Sequence, residues 1–406
     1  MEPAPSPQQR DPMSGLLNYP DADIWERRFT HRHIQPGDRV AIRSVRPQDW
    51  IAIAIATWRL GACLCPLNPK WPKSYADKLL DLLDVDYIAD TDERRVSRYP
   101  KTEGPSVFVC TSGKEPKIAV ITLQALVNNA IRAIDAVDLK QDDTWALTLP
   151  LNHVGGIGIV LRCLLAQAHL VFSFNDPSIT HISCVPTHLY RQTPRHPKLK
   201  CVLVGGAPLG HLPKQLPIIG TYGMTETSSM VLAKKNPTDL YLGEGLGGRE
   251  IRLDADGQIW IRGDTLFNGY WVQGRLTLPF DENGWFATGD LAVRDAKRGI
   301  AIVGRKDRQF IVGGENVQPE EIEAEILKLP GVVSVRVDKE VDLEYGFCPV
   351  AYIESSGAWI DWRAALEEAL PKYKIPIRYD RGVNTTGSWK TSSNLAGPQN
   401  PDSFGK

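Results

Sequence analysis

The segment YGMTETSS, residues 222–229, concentrates side chains that could bind a nucleotide. It places the carboxylate of Glu226 among hydroxyl groups, directly after an aromatic residue and a glycine. Short oxygen-bearing side chains, next to a backbone that can turn at Gly223, suit a triphosphate and its magnesium better than a packed core. We therefore interpret this segment as a nucleotide site.

Two further segments carry groups that suit phosphate and ribose. TSGKEPK, residues 111–117, lies between the strand-like runs SVFVC and IAVIT, and the GxxxxGK[ST] pattern of a Walker loop is absent. We expect a hairpin tip whose hydroxyls and lysines clasp phosphate oxygens, and an ordinary polar turn is the alternative. GWFATGD ends in Asp290, whose carboxylate could accept both ribose hydroxyls, although an aspartate after a glycine also suits a turn.

Two glycine-containing segments are less specific. LPLNHVGG places His153 before two glycines, where the backbone could pass close to a ligand, but a lone histidine is usually structural. GEGLGG, residues 243–248, has the glycine spacing of a dinucleotide-binding motif, yet it leads into the strand-like run REIRL. A dinucleotide site needs a helix N-terminus for the pyrophosphate, so we reject it and predict a turn.

Composition excludes several classes of protein. The 406 residues, 42% of them hydrophobic, can form two or three domains with ample core. The 47 basic and 48 acidic residues nearly cancel, which argues against nucleic-acid partners and anionic membrane surfaces. No apolar run approaches the roughly 20 residues that cross a bilayer. The seven cysteines have neither disulfide nor zinc spacing, so we expect Cys63 and Cys65 to be core thiols. Taken together, these features predict a cytoplasmic globular enzyme.

The elements predicted from the sequence are those of an α/β protein. Short β-branched runs alternate with amphipathic helical segments through about residue 225, which indicates a layered sheet, and Thr122 is expected to cap one helix. From about residue 240 to 304, short strands with glycine turns, such as the turn at Asp256 and Gly257, predict a β-rich subdomain. A helix starting at Pro319, two strands and a helix over about 362–370 predict a small α+β domain.

This pattern divides the chain into two domains. We predict a large N-terminal α/β domain at 1–304, of which the proline-rich residues 1–12 form a disordered tail. A polar hinge follows at 305–308, and a small, mobile α+β C-terminal domain occupies 309–406.

Six segments occur in the order and spacing of a known superfamily: TSGKEPK, LPLNHVGG, VGGAPL, YGMTETSS, GWFATGD and GRKDRQFIVGGENVQPEEIEAEI. From about residue 35 to 390, the chain thereby resembles the adenylate-forming enzymes, which include acyl-CoA synthetases, luciferases and nonribosomal adenylation domains. The resemblance implies that a carboxylate attacks the α-phosphate of MgATP, and that a thiol, usually of coenzyme A, then displaces AMP. Such chemistry needs charge neutralisation more than a general base, because the carboxylate is already ionised.

The resemblance also implies a role for each matching residue. Thr111, Ser112 and Lys117 would bind the β- and γ-phosphates of the nucleotide, Thr225 would bind the α-phosphate, and Glu226 would bind the magnesium. The adenine would lie against Tyr222 and meet the backbone of Gly205, Gly206 and Ala207. Asp290 would bind the ribose hydroxyls, with Arg305 beside it. Elsewhere, His153 would line the acyl entrance, Gly313 and Gly314 would approach the thiol arm, Asp307 would be the pivot of the small domain, and Lys390 would be the catalytic lysine. The ammonium of Lys390 could bridge the two anions as they meet, and a solvated tail lysine is the alternative.

The chain's length, its compact N-terminal part, VPTHLYR and PKYKIPIRY resemble the o-succinylbenzoate-CoA ligases of menaquinone and phylloquinone synthesis. Their substrate carries a second carboxylate, for which Arg191 is the candidate partner, because a guanidinium can hold a carboxylate in bidentate fashion. A surface arginine is the alternative.

Other functions remain open from the sequence. The enzyme alternatives are another small aryl- or acyl-CoA ligase and a stand-alone adenylation domain that feeds a carrier protein. TSGKEPK is about two residues shorter than the usual TSGxxGxPK, and Ser393 stands where the superfamily usually has an arginine. These departures motivate a non-enzyme alternative, a degenerate nucleotide-binding regulatory protein.

Overall fold

The computed structural model describes residues 12–43, 46–111, 117–186, 189, 194–206, 213–239 and 241–382. Its α-helices are Pro12–Leu17, Ala22–His31, Pro47–Arg59, Lys73–Leu83, Leu123–Val137, Val154–Ala166, Pro319–Leu327 and Trp362–Leu366. Short 3-10 helices occur at Thr225–Thr227 and Lys372–Lys374. The predicted tail lies outside the described residues except for Pro12, which begins a helix, so the prediction is wrong for that residue.

The first of two large sheets has eight strands in the described part of the chain. In spatial order these are Arg275–Thr277, Gly269–Val272, Ile118–Thr122, Ser106–Cys110, Cys63–Pro66, Arg39–Ile42, Tyr87–Ile88 and Glu93–Arg94. Its central strands are parallel, and both edges are antiparallel. Cys63 and Cys65 are buried in this sheet without a disulfide, which confirms the prediction of core thiols.

The second large sheet has six strands among the described residues. In spatial order they are Ser229–Lys235, Ile218–Met224, Cys201–Val204, His181–Cys184, Thr144–Ala146 and His169–Val171. All neighbours are parallel except the first pair, which is antiparallel. Helix Leu123–Val137 contacts strands of both large sheets, and the hydroxyl of Thr122 caps it by accepting a hydrogen bond from the Ala125 N–H at 3.1 Å. The predicted cap is confirmed.

A four-stranded antiparallel sheet follows, in the order Arg249–Leu253, Gln258–Gly263, Phe286–Asp295 and Gly299–Arg305. Its first hairpin turns at Gly257 with φ +82°, where a left-handed conformation favours glycine, as the Asp256-Gly257 pair predicted. One part of the stretch assigned to a β-rich subdomain behaves differently. Strands Gly269–Val272 and Arg275–Thr277 leave this sheet and complete the edge of the first large sheet.

The C-terminal part has its own small sheets and core. A hairpin of Phe310–Val312 and Glu315–Val317 precedes the helix that begins at Pro319, and a three-stranded sheet contains Val332–Asp342, Gly346–Ser355 and Arg378–Arg381. The last helix ends at Leu366 and not near Leu370, so its predicted length is wrong. Residues 367–370 form turns, and Pro371 follows them. Proline cannot donate the backbone hydrogen bond that a continuing helix needs. The α/β fold class itself is confirmed.

Candidate functional site

The turn of YGMTETSS follows strand Ile218–Met224, which is next to the edge strand of the second large sheet. Thr225–Thr227 form one 3-10 turn, after which Ser228 and Ser229 have φ values of +60° and +128°. Such positive φ is rare outside glycine, and it persists only where surrounding contacts fix the chain. A Cβ on Gly223 would lie 1.9 Å from the carbonyl oxygen of Ser229, so a side chain at this position would not fit.

Contacts from one helix and from the segment 264–268 hold this turn in place. The amide of Asn129, on helix Leu123–Val137, donates hydrogen bonds to the carbonyls of Thr227 at 3.0 Å and Met230 at 2.9 Å. The hydroxyl of Ser228 donates to the carbonyl of Thr265 at 2.7 Å. The backbone N–H of Phe267 donates to the carbonyl of Glu226 at 2.9 Å. The loop is therefore rigid enough to present the Glu226 carboxylate in one direction.

Glu226 meets a residue that the sequence did not single out. Its side chain is mostly buried, and Oε1 accepts a hydrogen bond of 2.7 Å from the hydroxyl of Tyr270. The ammonium of Lys117 lies 5.0 Å from the centre of the same tyrosine ring. Tyr270 thus joins the candidate magnesium ligand to the candidate phosphate-binding lysine. The pattern GYW predicts a strand and offers no sign of this role.

The base of the phosphate loop has the geometry expected of a hairpin. Strands Ser106–Cys110 and Ile118–Thr122 are antiparallel, and the backbone N–H of Thr111 donates to the carbonyl of Lys117 at 2.8 Å. The structure therefore places Thr111 and Lys117 side by side at the base of the loop. Ser112 lies outside the described residues.

A second group of contacts gathers the residues predicted to hold ribose and adenine. The hydroxyl of Tyr222 donates to Asp290 Oδ2 at 2.6 Å, and Arg305 Nη1 donates to Asp290 Oδ1 at 3.0 Å. Arg305 Nε also donates to Asp307 Oδ1 at 3.0 Å. Each carboxylate oxygen has two lone pairs, so Asp290 could still accept hydrogen bonds from ribose hydroxyls. The ribose candidate and the proposed pivot residue are therefore linked through one arginine.

Protonation favours this arrangement at neutral pH. Burial raises the pKa of Tyr222 well above its ordinary value, and the charge of Asp290 raises it further, so the phenol remains a donor. Burial also raises the pKa of Asp290, although the hydrogen bond from Tyr222 and the charge of Arg305 oppose that rise. The guanidinium of Arg305 is consequently the charged partner that favours an ionised Asp290.

The glycines predicted to lie near adenine follow the strand next to Tyr222. A Cβ on Gly205 would lie 2.3 Å from the hydroxyl oxygen of Thr221, so the two strands approach closely here. Gly206 has φ +78°, which requires the left-handed freedom of glycine. Ala207 lies outside the described residues. Gly205 therefore lies beside the strand that carries Tyr222.

The remaining predicted residues are spread more widely. His153 is the N-terminal cap residue of helix Val154–Ala166, and its ring lies 3.3 Å from the amide of Asn152. Gly313 and Gly314 form the turn of the small-domain hairpin, and the Gly313 N–H donates to the carbonyl of Tyr345 at 3.0 Å. Arg191 and Lys390 lie outside the described residues, and so does Ser393. Their roles remain predictions.

Comparison with known proteins identifies the class to which this fold and site belong. Residues 99–271 match the family model described as AMP-binding enzyme. That match spans the phosphate loop, helix Leu123–Val137 and the YGMTETSS turn, and the class is the adenylate-forming one that the motif order predicted.

The relatives narrow the class to one family. The 2-succinylbenzoate–CoA ligase of Haemophilus influenzae is 33% identical over 375 residues, which cover 84% of this chain and 82% of that protein. The enzyme of the same name from Escherichia coli is 30% identical over 383 residues, which cover 86% and 84%. The chain belongs to the 2-succinylbenzoate–CoA ligase family. 2-Succinylbenzoate is another name for o-succinylbenzoate, so the predicted resemblance is confirmed.

A solved structure agrees with this assignment. A variant of E. coli MenE with bound OSB-AMS superimposes with a TM-score of 0.78 and 28% sequence identity, covering 90% of this chain and 88% of that one. Within the described ranges, every helix is too short or too polar to span a bilayer.

Proposed function

We propose that this protein uses ATP to activate the succinyl carboxylate of o-succinylbenzoate as an acyl-adenylate and then transfers the acyl group to coenzyme A. The observation that carries the proposal is the assembly, in a chain of this family, of Lys117 and Glu226 around one tyrosine. A cation for phosphate and a carboxylate for magnesium are thereby brought to one place, as adenylation of a carboxylate requires.

The first half-reaction joins two anions and needs no proton transfer. A carboxylate oxygen of the acid attacks the α-phosphorus of ATP, the new C(O)–O–P linkage forms, and the bond to the β-phosphate breaks to release pyrophosphate. We propose that Lys117 and the hydroxyl of Thr111 bind the outer phosphates and that Thr225 binds the α-phosphate. Asp290 and Tyr222 would orient the ribose and adenine.

Magnesium fits the residues present. Among the described residues no three His, Cys, Asp or Glu side chains cluster as a protein-only metal site would require. Mg²⁺ usually binds one or two carboxylates together with substrate phosphates and water, and the mostly buried Glu226 supplies one oriented carboxylate. When bound, the ion neutralises charge on the phosphates. Glu226 is the residue that would hold it.

The second half-reaction transfers the acyl group to sulfur. The thiolate of coenzyme A attacks the acyl carbon, the C–S bond forms, and AMP leaves with its phosphate oxygen. We propose that the small domain turns about Asp307 between the two half-reactions, so that Lys390 leaves the site and Gly313 and Gly314 approach the thiol arm. The acid enters past His153.

A screen for AMP release tests the proposed substrate. Aromatic, fatty and keto-dicarboxylic acids would be compared with coenzyme A present, and we expect o-succinylbenzoate to give the highest kcat/KM. Replacing coenzyme A with a carrier-protein thiol separates the CoA ligase from a stand-alone adenylation domain. If ATP binds but no acid supports AMP release, the protein is a nucleotide-binding regulator and the proposal is wrong.

Lys390 provides a test of the first half-reaction. Lys390→Ala should abolish acid-dependent exchange of pyrophosphate into ATP, because the ammonium no longer offsets repulsion between the carboxylate and the α-phosphate. ATP binding should persist. Lys372→Ala, at an exposed lysine of the same domain, is the matched control and should exchange normally. Normal exchange by Lys390→Ala would exclude its catalytic role.

Arg191 provides a test of substrate selection. Arg191→Ala should raise the KM for o-succinylbenzoate by about tenfold or more while ATP binding changes little, since one charge-assisted pair is lost. Arg195→Ala, at a nearby exposed arginine, is the control. An unchanged KM in Arg191→Ala would remove Arg191 from the acid site.

A further inference from the structure

Tyr270 lies where the phosphate loop and the metal-binding turn meet. It belongs to strand Gly269–Val272, which pairs with Ile118–Thr122 so that Tyr270 faces Ala119, two residues after Lys117. The strand is also tied down at its start, because the N–H of Asn268 donates to the carbonyl of Val120 at 2.7 Å. The position of Tyr270 is therefore fixed relative to the phosphate loop.

The same strand is fixed relative to the metal-binding turn. The N–H of Phe267 donates to the carbonyl of Glu226 at 2.9 Å, and the Tyr270 hydroxyl donates to Glu226 Oε1 at 2.7 Å. Glu226 is thus held by its backbone and by its side chain from one short segment. A hydrogen bond to an ionised acceptor is among the stronger ones in proteins, particularly when the acceptor is mostly buried.

The aromatic ring of Tyr270 has a separate partner. The ammonium of Lys117 lies 5.0 Å from the ring centre, within the range of a cation–π interaction. A flexible lysine side chain loses rotamer freedom when it binds phosphate, and a contact that already orients the ammonium reduces that loss. The hydroxyl and the ring therefore act on two different charged groups.

We propose that Tyr270 is a positioning residue for MgATP, whose hydroxyl orients the Glu226 carboxylate for magnesium and whose ring orients the Lys117 ammonium for the outer phosphates. This inference rests on the proposed function. It adds a residue to the site and explains how a phosphate loop shorter than usual keeps its lysine aligned with the metal-binding turn.

A purely structural role is the competing explanation. The ring of Tyr270 packs edge-on against Phe267 with centroids 4.9 Å apart, and this packing alone could account for an aromatic residue here. The two explanations differ in what Tyr270→Phe should do. Phenylalanine preserves the packing and the face above Lys117 but removes the donor to Glu226.

Calorimetric titration of ATP at a series of Mg²⁺ concentrations, without any acid, tests the inference. For Tyr270→Phe we expect the Mg²⁺ concentration that gives half-maximal ATP affinity to rise about tenfold, since a hydrogen bond to a charged group is lost. At saturating Mg²⁺ its ATP affinity should stay within about twofold of the wild type, because the ring still faces Lys117. Tyr270→Leu should show the same Mg²⁺ shift and also weaken ATP binding at saturating Mg²⁺ by about threefold or more.

Tyr99→Phe is the matched control, since its ring packs edge-on against Trp271, the neighbour of Tyr270, and its titration should match the wild type. An unchanged Mg²⁺ requirement in Tyr270→Phe would overturn the role of the hydroxyl, and an unchanged ATP affinity in Tyr270→Leu would overturn the role of the ring. Because Tyr270→Phe keeps the packing, it decides the first question even if Tyr270→Leu does not fold. Wild-type protein that binds MgATP normally but releases no AMP with o-succinylbenzoate would contradict the proposed function alone.

Discussion

Asp290 is a mostly buried carboxylate with a tyrosine donor on one side and an arginine on the other. Tyr222 lies on a strand of the second large sheet, whereas Asp290 and Arg305 lie on the antiparallel sheet, so these contacts depend on how the two sheets pack together. A buried charge is tolerated only when it is paired and hydrogen-bonded. These contacts therefore hold the side chain in one orientation, as the proposed ribose role requires.

At this residue we expect Asp290→Asn to raise the KM for ATP by about tenfold or more, because hydrogen bonds to a charged acceptor are replaced by weaker ones. Arg305 would also lose a charged partner. Steady-state kinetics with ATP as the varied substrate measures the effect. Asp295→Asn, at a partly exposed turn residue that ends the same strand, should leave the KM for ATP unchanged. Equal KM values for Asp290→Asn and the wild type would exclude the ribose role.

Helix Leu123–Val137 connects the two large sheets and supports the nucleotide turn. Its N-terminus is capped by Thr122, and Asn129 reaches the YGMTETSS turn from its middle. An N-cap hydroxyl satisfies one of the backbone N–H groups that the first turn of any helix leaves without a partner. The Thr122 cap therefore contributes to the stability of this element.

For the helix we expect Thr122→Ala to lower the free energy of unfolding by about 1 kcal/mol, because the backbone N–H of Ala125 loses its hydrogen-bond acceptor. Urea unfolding followed by circular dichroism measures the change in the transition of the large domain. Thr122→Ser keeps an acceptor oxygen and should remain much closer to the wild type. A Thr122→Ser variant as unstable as Thr122→Ala would show that the methyl group, and not the cap, is responsible.

The whole molecule has separate hydrophobic cores. One cluster contains only residues from 310 to 379, including Trp362, whereas the clusters of the large sheets draw on residues from 13 to 302. Polar contacts join the hinge to both parts: Gln318 Nε2 donates to the carbonyl of Arg305 at 3.0 Å, and Lys306 pairs with Asp256 at 3.0 Å. The Lys306–Asp256 pair is exposed and contributes little stability, so breaking it in the proposed domain swing would cost little.

At this scale we expect Trp362→Ala to destabilise the small domain by about 3–5 kcal/mol, because a large buried side chain is lost. The unfolding of the large domain, and its binding of ATP, should change little. Differential scanning calorimetry would show one transition moving to lower temperature. Trp359→Ala, at a partly exposed neighbour whose ring lies 5.3 Å from Trp362, is the control and should have a much smaller effect. A common shift of all transitions would mean that the two parts unfold as one unit.

The sequence alone determined the features that depend on neighbouring residues. The Thr122 cap, the turn at Asp256 and Gly257, the helix start at Pro319 and the hairpin that carries the phosphate loop were all predictable, because each follows from local backbone geometry and hydrogen bonding. The order of the motifs likewise indicated the family.

Only the tertiary structure decided which distant segments meet. The pairing of Gly269–Val272 with Ile118–Thr122 brings Tyr270 to Glu226 and Lys117, and the neighbours of Tyr222 and Asp290 depend on contacts between sheets. A strand's propensity does not specify its partner, since register and pairing are set by side-chain packing across elements that are far apart in the chain. The sequence therefore determined which side chains are candidates to bind MgATP, and long-range packing decided that Tyr270 contacts two of them, Glu226 and Lys117.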